Sequence, residues 1–378
     1  MSAADDLYPV EERLQELARR LLATTPDFTT ATIKRYQALA GDASGRRYIR
    51  LYLEDAPATT LILQVLAHGV GPVYSSSESF NQDDTYVELS LYFEREGIPV
   101  PKLYFDGREA GGLLIEDVGD LPLWQFAFDK LDEDGQKVKK ELGEDATLTL
   151  YQRVVDLIVR LQGCAPDPDC VAFKRSLEFE QYRMEAARFV DHCLLPNAFP
   201  KRELQVVSDL LDRLCESVAA HKQVLAHRDC MPWNIHVGNG VIGRSGAVTL
   251  IDFQDALTAS YVYDLVALVH DRNADYALGD ESCVKIVNYF KAQFNLDDSF
   301  YKDYLELLLQ RHFRLAGQFA LLTVKTGNPI YQSWIPGCLK RVGRALAALD
   351  DTEAPLQILS SLIPDVRAGA DNPFDFSP

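Results

Sequence analysis

Two short segments of the sequence place acidic and amide side chains directly after strand-like runs. The first, residues 227–234, reads His-Arg-Asp-Cys-Met-Pro-Trp-Asn and follows the apolar run 224–226. The second begins at Asp252, directly after the β-branched run 248–251. A carboxylate on a rigid loop can orient an acceptor hydroxyl. Carboxylate and amide oxygens further along the sequence can hold Mg²⁺ against a triphosphate. The pattern therefore predicts phosphoryl transfer.

Three side chains in these segments have distinct predicted roles. Asp229 is the candidate catalytic carboxylate, and Asn234 and Asp252 are the candidate Mg²⁺ ligands. Residues 238–246 are rich in Gly, Asn and Ser, so a hairpin turn there would return Asp252 to Asn234. Each residue alone would more often be an ordinary turn or cap residue. Their order and spacing favour the catalytic interpretation.

The elements that must position these residues change in type along the chain. Strand-like runs lie in the first third of the sequence, at 48–53, 60–66, 103–105 and 112–119. After about residue 120, amphipathic helical patterns dominate. Because strands and helices are segregated, we predict an α+β fold rather than a doubly wound sheet. The predicted parts are a strand-rich lobe over 1–118, a helical lobe over 119–364 and a flexible tail over 365–378.

Composition and charge narrow the possible partners. The 378 residues include 56 acidic and 38 basic side chains, a formal charge of −18 that opposes nucleic acid and anionic membranes. The N-terminus has no apolar stretch and no run is long enough to span a membrane, so we expect a cytoplasmic protein. A monomer or weak dimer is a separate expectation. Seven cysteines without framework spacing indicate reduced thiols, although Cys164 and Cys170 are close enough in sequence to be bridged.

The 227–234 and 251–253 segments resemble the catalytic motifs of the protein-kinase-like superfamily. Within it, the chain resembles the aminoglycoside/choline phosphotransferase family over roughly residues 10–350, although many members carry Gly in place of Arg228. The resemblance implies a bilobal fold, with a small antiparallel-sheet N-lobe and a large helical C-lobe, and implies ATP and Mg²⁺ as cofactors. It also implies that Asp264 braces the catalytic loop, while His227 and Arg228 keep its shape.

A narrower resemblance is to bacterial anomeric N-acetylmuramate/N-acetylglucosamine kinases. Four segments carry it: 42–48, 113–119, 251–256 and 310–312. It implies phosphorylation of the anomeric hydroxyl of an amino sugar, as in cell-wall sugar recycling.

The nucleotide contacts are predicted in two places. Backbone amides and cationic side chains could hold the phosphates at Ser44, Gly45, Arg46 and Arg47. The hinge residues Glu116 and Val118 should meet the adenine through backbone groups. The lysine that such kinases are expected to carry on the strand-like run 60–66 is absent, and Gln64 lies near its place.

The acceptor side is less defined by the sequence. Its candidate residues are polar groups near the predicted site: Gln254, Asp255, Arg311 and His312. Arg311 could bind a carboxylated sugar, or it could be a structural arginine on a helix. The acceptor could instead be an aminoglycoside, choline or a hydroxy-amino acid. A nucleotide-binding protein with little catalysis is a further alternative, supported by the missing lysine.

Overall fold

The computed structural model describes residues 10–39, 46–66, 81–127, 130–131, 137–138, 144–238, 248–273, 275 and 278–377. The chain divides into two compact units. The first comprises Met1–Leu121, Asp167–Lys174 and Asn234–Asp255, and the second comprises Pro122–Pro166, Arg175–Trp233 and Ala256–Pro378. The predicted boundary at residue 118 is close to Leu121, but the first unit also takes two later segments that the sequence assigns to the helical lobe.

The first unit is built on a five-stranded antiparallel sheet in the order β1-β2-β3-β5-β4. Its elements are α1 (Glu12–Thr24), β1 (Thr32–Ala38), β2 (Arg47–Glu54), β3 (Thr60–Val65), α2 (Gln82–Arg95), β4 (Leu103–Gly107), β5 (Gly112–Glu116), β9 (Ile235–Val237) and β10 (Val248–Leu250). The sequence does not predict β1. No residue of that strand is fully buried, so it lacks the clear apolar alternation of its neighbours.

The alternation of side chains along β2 and β3 gives the sheet two different faces. One face packs against the buried side of α1 through Ile49, Leu51, Leu61 and Leu63. The opposite face carries larger and more polar residues: Tyr48, Arg50, Ile62 and Gln64. The registers Tyr48 with Gln64 and Arg50 with Ile62 bring these four side chains together. The second face is therefore available for a ligand, because the apolar core occupies only the first.

The second unit is mainly helical. Its elements are α3 (Trp124–Ala127), β6 (Lys130–Leu131), β7 (Lys137–Val138), α4 (Glu144–Gln162), α5 (Phe179–Phe189), α6 (Lys201–Ala220), β8 (Gln223–Ala226), β11 (Leu257–Ser260), α7 (Tyr263–His270), α8 (Asp280–Gln293), α9 (Ser299–Thr326), α10 (Pro329–Ala348), α11 (Glu353–Leu362) and α12 (Pro364–Ala370). Strands β8 and β11 pair antiparallel. This segregation of strands and helices agrees with the predicted α+β class.

The C-terminal residues differ from the predicted flexible tail. Residues 364–370 form α12, and Phe376 is buried and stacks on Tyr301 with ring centroids 5.5 Å apart. Gly343 and Gly369 allow α10 and α12 to approach closely, because a Cβ at either position would lie 1.9 Å from a carbonyl oxygen of the other helix. The polar, proline-containing sequence suggested a loose end, but its few apolar residues are enough to pack it.

We expect Gly317→Ala to lower the free energy of unfolding by about 2–3 kcal/mol, since an added Cβ would overpack the contact between α9 and α5. That Cβ would lie 2.2 Å from the carbonyl carbon of Arg188 and 2.4 Å from the nitrogen of Phe189. Urea denaturation measures the change. Gly163→Ala is the matched control, because the nearest atom there is 3.4 Å away. Equal effects of the two substitutions would contradict this packing.

Two further findings concern the cysteines and the hydropathy of the helices. All seven cysteines lie in the described residues and carry free thiols, Cys164 and Cys170 included. Among the described helices, none combines the length and the apolar character that a membrane span requires.

Candidate active site

The polar face of the sheet in the first unit forms one wall of a cavity of about 300 Å³, called here the sheet cavity. Its lining comes mainly from β2, β3, α2, β5 with the connection after it, and the residues in and around β9 and β10: Leu39, Tyr48, Arg50, Ile62, Gln64, Tyr86, Pro101, Ile115, Glu116, Asp117, Val118, Gly119, Asp120, Asn234, His236, Ile251, Asp252 and Gln254. An apolar cavity with a few convergent polar groups is typical of a small-molecule site. The predicted hinge residues Glu116 and Val118 and both predicted metal ligands line it.

The β9–β10 hairpin brings the two predicted metal ligands together. Asn234 directly precedes β9, and its carbonyl accepts a 2.9 Å hydrogen bond from the amide of Ile251 after β10. The side-chain nitrogen of Asn234 then lies 3.3 Å from Oδ2 of Asp252. Gln254 donates to Oδ1 of the same carboxylate at 2.7 Å. Asp252 has a left-handed backbone with φ 63°, a sparsely populated conformation for a non-glycine residue.

These donors fit a hard divalent cation. A carboxylate and an amide oxygen at one end of the sheet cavity are ligand types that Mg²⁺ accepts, with its remaining positions filled by water and phosphate oxygens. Asp252 and Asn234 would hold the ion, and Gln254 orients the carboxylate. Gln254 thus contacts the carboxylate of Asp252, whereas the sequence predicts that it contacts the substrate.

An ion-pair network fixes the segment after β5. Arg50 of β2 contacts both carboxylates of that segment, with Nε 2.6 Å from Asp117 and Nη1 2.6 Å from Asp120. Burial alone would lower the pKa of Arg50, but the hydrogen bonds to Asp120 and Asp117 raise it above its ordinary value. His236 adds a 2.8 Å hydrogen bond from its Nδ1 to the carbonyl of Gly119. The backbone around Val118 is therefore held in place before any ligand binds.

The predicted phosphate contacts are only partly described. Ser44 and Gly45 lie outside the described residues. Arg46 is buried, with Nε 3.5 Å from Oδ1 of Asp83 on α2, and Arg47 pairs at 2.9 Å with the exposed Glu11. Gln64, which replaces the expected lysine, is fully buried in the cavity wall, and no described residue bonds its amide. Gln64 thus brings an uncharged amide to this wall where a lysine would bring a positive charge.

In the second unit, Asp264 braces the loop that carries Asp229. This loop follows β8, and the buried carboxylate of Asp264 accepts backbone N–H bonds from His227 at 2.7 Å and Arg228 at 3.0 Å. Burial raises the pKa of Asp264 above its ordinary value, although these two bonds oppose the shift. Arg228 has φ 75°, the left-handed region that favours glycine. A glycine would adopt this conformation without strain, which is a conformational reason for the expectation that many related sequences carry Gly here.

Arginine side chains surround Asp229. Burial favours the neutral acid, but the charges of Arg228, Arg314 and Arg311 outweigh it and lower the pKa of Asp229. Arg228 and Arg314 share one counterion, Glu185, at 3.9 Å and 3.3 Å. Asp229 is consequently ionised at neutral pH and able to accept a proton.

The other predicted acceptor residues have different surroundings. Arg311 is buried and bonds Asp271 at 2.7 Å, which favours the structural alternative for this residue. His312 is fully buried, and burial holds its pKa well below the ordinary value, so it gives a substrate no access. Asp255, in the first unit, accepts a 3.3 Å hydrogen bond from Gln82.

Some lining residues were not identified from the sequence. Arg50 is a charged residue inside the strand-like run 48–53, and this position is the sequence signal that could have identified it as a lining residue. Its partners Asp117 and Asp120 depend on strand pairing, which no local pattern specifies.

Two curated proteins of similar sequence share one name. N-acetylmuramate/N-acetylglucosamine kinase of Neisseria meningitidis serogroup B is 26% identical over 332 residues, covering 85% of this chain and 88% of the relative. A protein of the same name from Caulobacter vibrioides is 25% identical over 327 residues, covering 80% and 85%.

The fold also matches solved structures. Choline kinase LicA from Streptococcus pneumoniae superposes with a TM-score of 0.57 at 10% identity, covering 88% of this chain and 99% of that chain. At this identity the match supports the protein-kinase-like fold alone. The sequence profile of the family described as "Phosphotransferase enzyme family" matches residues 35–306. Since this match spans most of the chain and includes both segments predicted to be catalytic, the chain belongs to the phosphotransferase enzyme family.

Proposed function

We propose that this phosphotransferase uses ATP to phosphorylate the anomeric hydroxyl of an N-acetyl amino sugar, as the sequence resemblance implies. The observation that carries the proposal is the ionised Asp229, held among arginines on a loop that Asp264 braces. The two curated relatives support a sugar acceptor, since both are named for N-acetylmuramate and N-acetylglucosamine.

The sheet cavity is the proposed nucleotide site. Backbone groups at Glu116 and Val118 would meet the adenine, because the Arg50 network already holds that segment in place. Asp252 and Asn234 would hold Mg²⁺, which neutralises triphosphate charge when bound. Phosphate contacts of Ser44 and Gly45 stay predictions, as do the cytoplasmic location and the monomeric or weakly dimeric state.

The proposed chemistry needs one proton acceptor. Asp229 accepts a hydrogen bond from the anomeric hydroxyl and takes its proton while the sugar oxygen bonds to the γ-phosphorus. The bond from that phosphorus to the bridging oxygen breaks, and ADP leaves. An anomeric hydroxyl is more acidic than an ordinary alcohol, so positioning carries much of the rate.

The charges around Asp229 disfavour the cationic acceptors among the alternatives. The carboxylate of Asp229 lies among the positive charges of Arg228, Arg311 and Arg314, and Arg228 and Arg314 share Glu185 as a counterion. An aminoglycoside or choline would add positive charge to this region. A neutral or anionic acceptor would not.

A substrate panel tests the proposal. The purified protein is incubated with Mg·ATP and, separately, N-acetylglucosamine, N-acetylmuramate, an aminoglycoside, choline and a hydroxy-amino acid, and ADP release is followed. We expect turnover with the amino sugars. Turnover with only the aminoglycoside or choline would reject the sugar assignment, and binding of ATP without any turnover would favour the nucleotide-binding alternative.

A further inference from the structure

The guanidinium of Arg272 lies between two indole rings in the second unit. Its Cζ is 5.2 Å from the ring centroid of Trp233 and 5.4 Å from that of Trp334, both within cation–π range. Trp233 belongs to the same loop as Asp229, and Trp334 lies on α10. Aromatic rings fix a guanidinium without consuming its N–H groups, since they are not conventional hydrogen-bond acceptors. Arg272 is thus positioned next to the catalytic loop with its donors available.

The charge of Arg272 is only weakly compensated. Its Nε lies 3.7 Å from Oδ1 of Asp271, and no described atom accepts a hydrogen bond from that nitrogen. Asp271 is already engaged, because Arg311 bonds its other oxygen at 2.7 Å with both side chains buried. Two guanidinium groups therefore share the carboxylate of Asp271, and Arg272 lies farther from it than Arg311 does. An additional anion would complete the pairing.

The backbone and exposure of Arg272 also favour a ligand role. Its φ of 46° places a non-glycine residue in the left-handed region, a conformation often kept at functional positions. Its side chain is 27% exposed, whereas that of Arg311 is 3% exposed. Of these two neighbouring arginines, Arg272 is the one that a solute can reach.

We propose that Arg272, held against Trp233 and Trp334, binds the carboxylate of an acidic amino sugar. The planar guanidinium suits a carboxylate because it can donate two parallel hydrogen bonds. This inference rests on the proposed function and makes it more specific: the acceptor is an N-acetyl amino sugar that bears a carboxylate. It also replaces Arg311, the cation that the sequence suggested for this role.

Paired kinetics with two sugars test the inference. N-acetylmuramate carries a carboxylate on a lactyl ether, and N-acetylglucosamine lacks that group but is otherwise the same sugar. For Arg272→Gln we expect KM for N-acetylmuramate to rise about 10- to 100-fold, the scale of a lost charge-assisted hydrogen bond. KM for N-acetylglucosamine and for ATP should change less than about 2-fold. Arg272→Lys should recover part of the loss, because it keeps the charge but not the planar fork.

Arg202→Gln, an exposed arginine on α6, is the matched control and should leave all three KM values unchanged. Thermal unfolding of each variant shows whether the fold is retained. An equal rise in KM for both sugars would overturn carboxylate recognition while leaving the amino-sugar function intact. A rise in KM for ATP alone would assign Arg272 to the phosphates instead. If the unaltered protein phosphorylates neither sugar, the proposed function and this inference both fail.

Discussion

Replacing Asp229 with asparagine is expected to lower kcat by at least ~100-fold, the scale of a lost acid–base group. The amide has nearly the same size and can still contact a hydroxyl, but it cannot take the proton. Nucleotide affinity should survive, because Asp229 lies in the second unit and every described residue that lines the sheet cavity belongs to the first. Steady-state kinetics and a separate ATP titration measure the two effects.

The matched control for this substitution is Asp209→Asn, an exposed aspartate on α6 that bonds Gln205. It removes the same charge from the same unit and should leave kcat unchanged. Near-normal turnover of Asp229→Asn would remove Asp229 from the mechanism. Loss of both turnover and ATP affinity would indicate a wider structural effect.

Asp252→Ala is expected to abolish the Mg²⁺-dependent part of ATP binding. Asp252 is the one carboxylate among the two proposed ligands, and Asn234 alone would leave a single neutral oxygen for the ion. The substitution also removes a carboxylate that accepts hydrogen bonds from Gln254 and from Asn234, so each of these side chains loses one hydrogen bond. Calorimetric titration with ATP, with and without Mg²⁺, separates metal-dependent from metal-independent affinity.

Glu109→Ala provides the control, because it removes an exposed carboxylate from the same unit away from the cavity lining. That variant should bind Mg·ATP as the unaltered protein does. Unchanged affinity of Asp252→Ala for Mg·ATP would argue against the metal role. Equal losses with and without Mg²⁺ would instead point to a disturbed cavity.

The sequence predicted features that depend on local patterns. A β-branched run and a turn-rich stretch predicted that Asp252 lies beside Asn234. Their Oδ2 and Nδ2 atoms are 3.3 Å apart. Residues 9–22 carry apolar side chains at a regular helical spacing on one face, a local pattern that indicates α1. Segregation of strands and helices likewise gave the correct α+β class.

Features that depend on distant pairings were not predictable in the same way. Arg50 reaches Asp117 and Asp120 only because β2, β3 and β5 pair in one register. The choice between Arg311 and Arg272 depends on which of them Asp271 neutralises. A charged residue in a sequence shows its type but not its counterion, so burial and pairing had to come from the structure.

Phosphorus-31 and carbon-13 NMR of the product of Mg·ATP and an N-acetyl amino sugar tests the central claim most directly. Phosphorylation of the anomeric hydroxyl predicts a phosphorus coupled to the anomeric carbon and hydrogen, and no such product with Asp229→Asn at matched enzyme concentration. A phosphorus coupled to any other position of the sugar, or no phosphorylated sugar at all, would contradict the account.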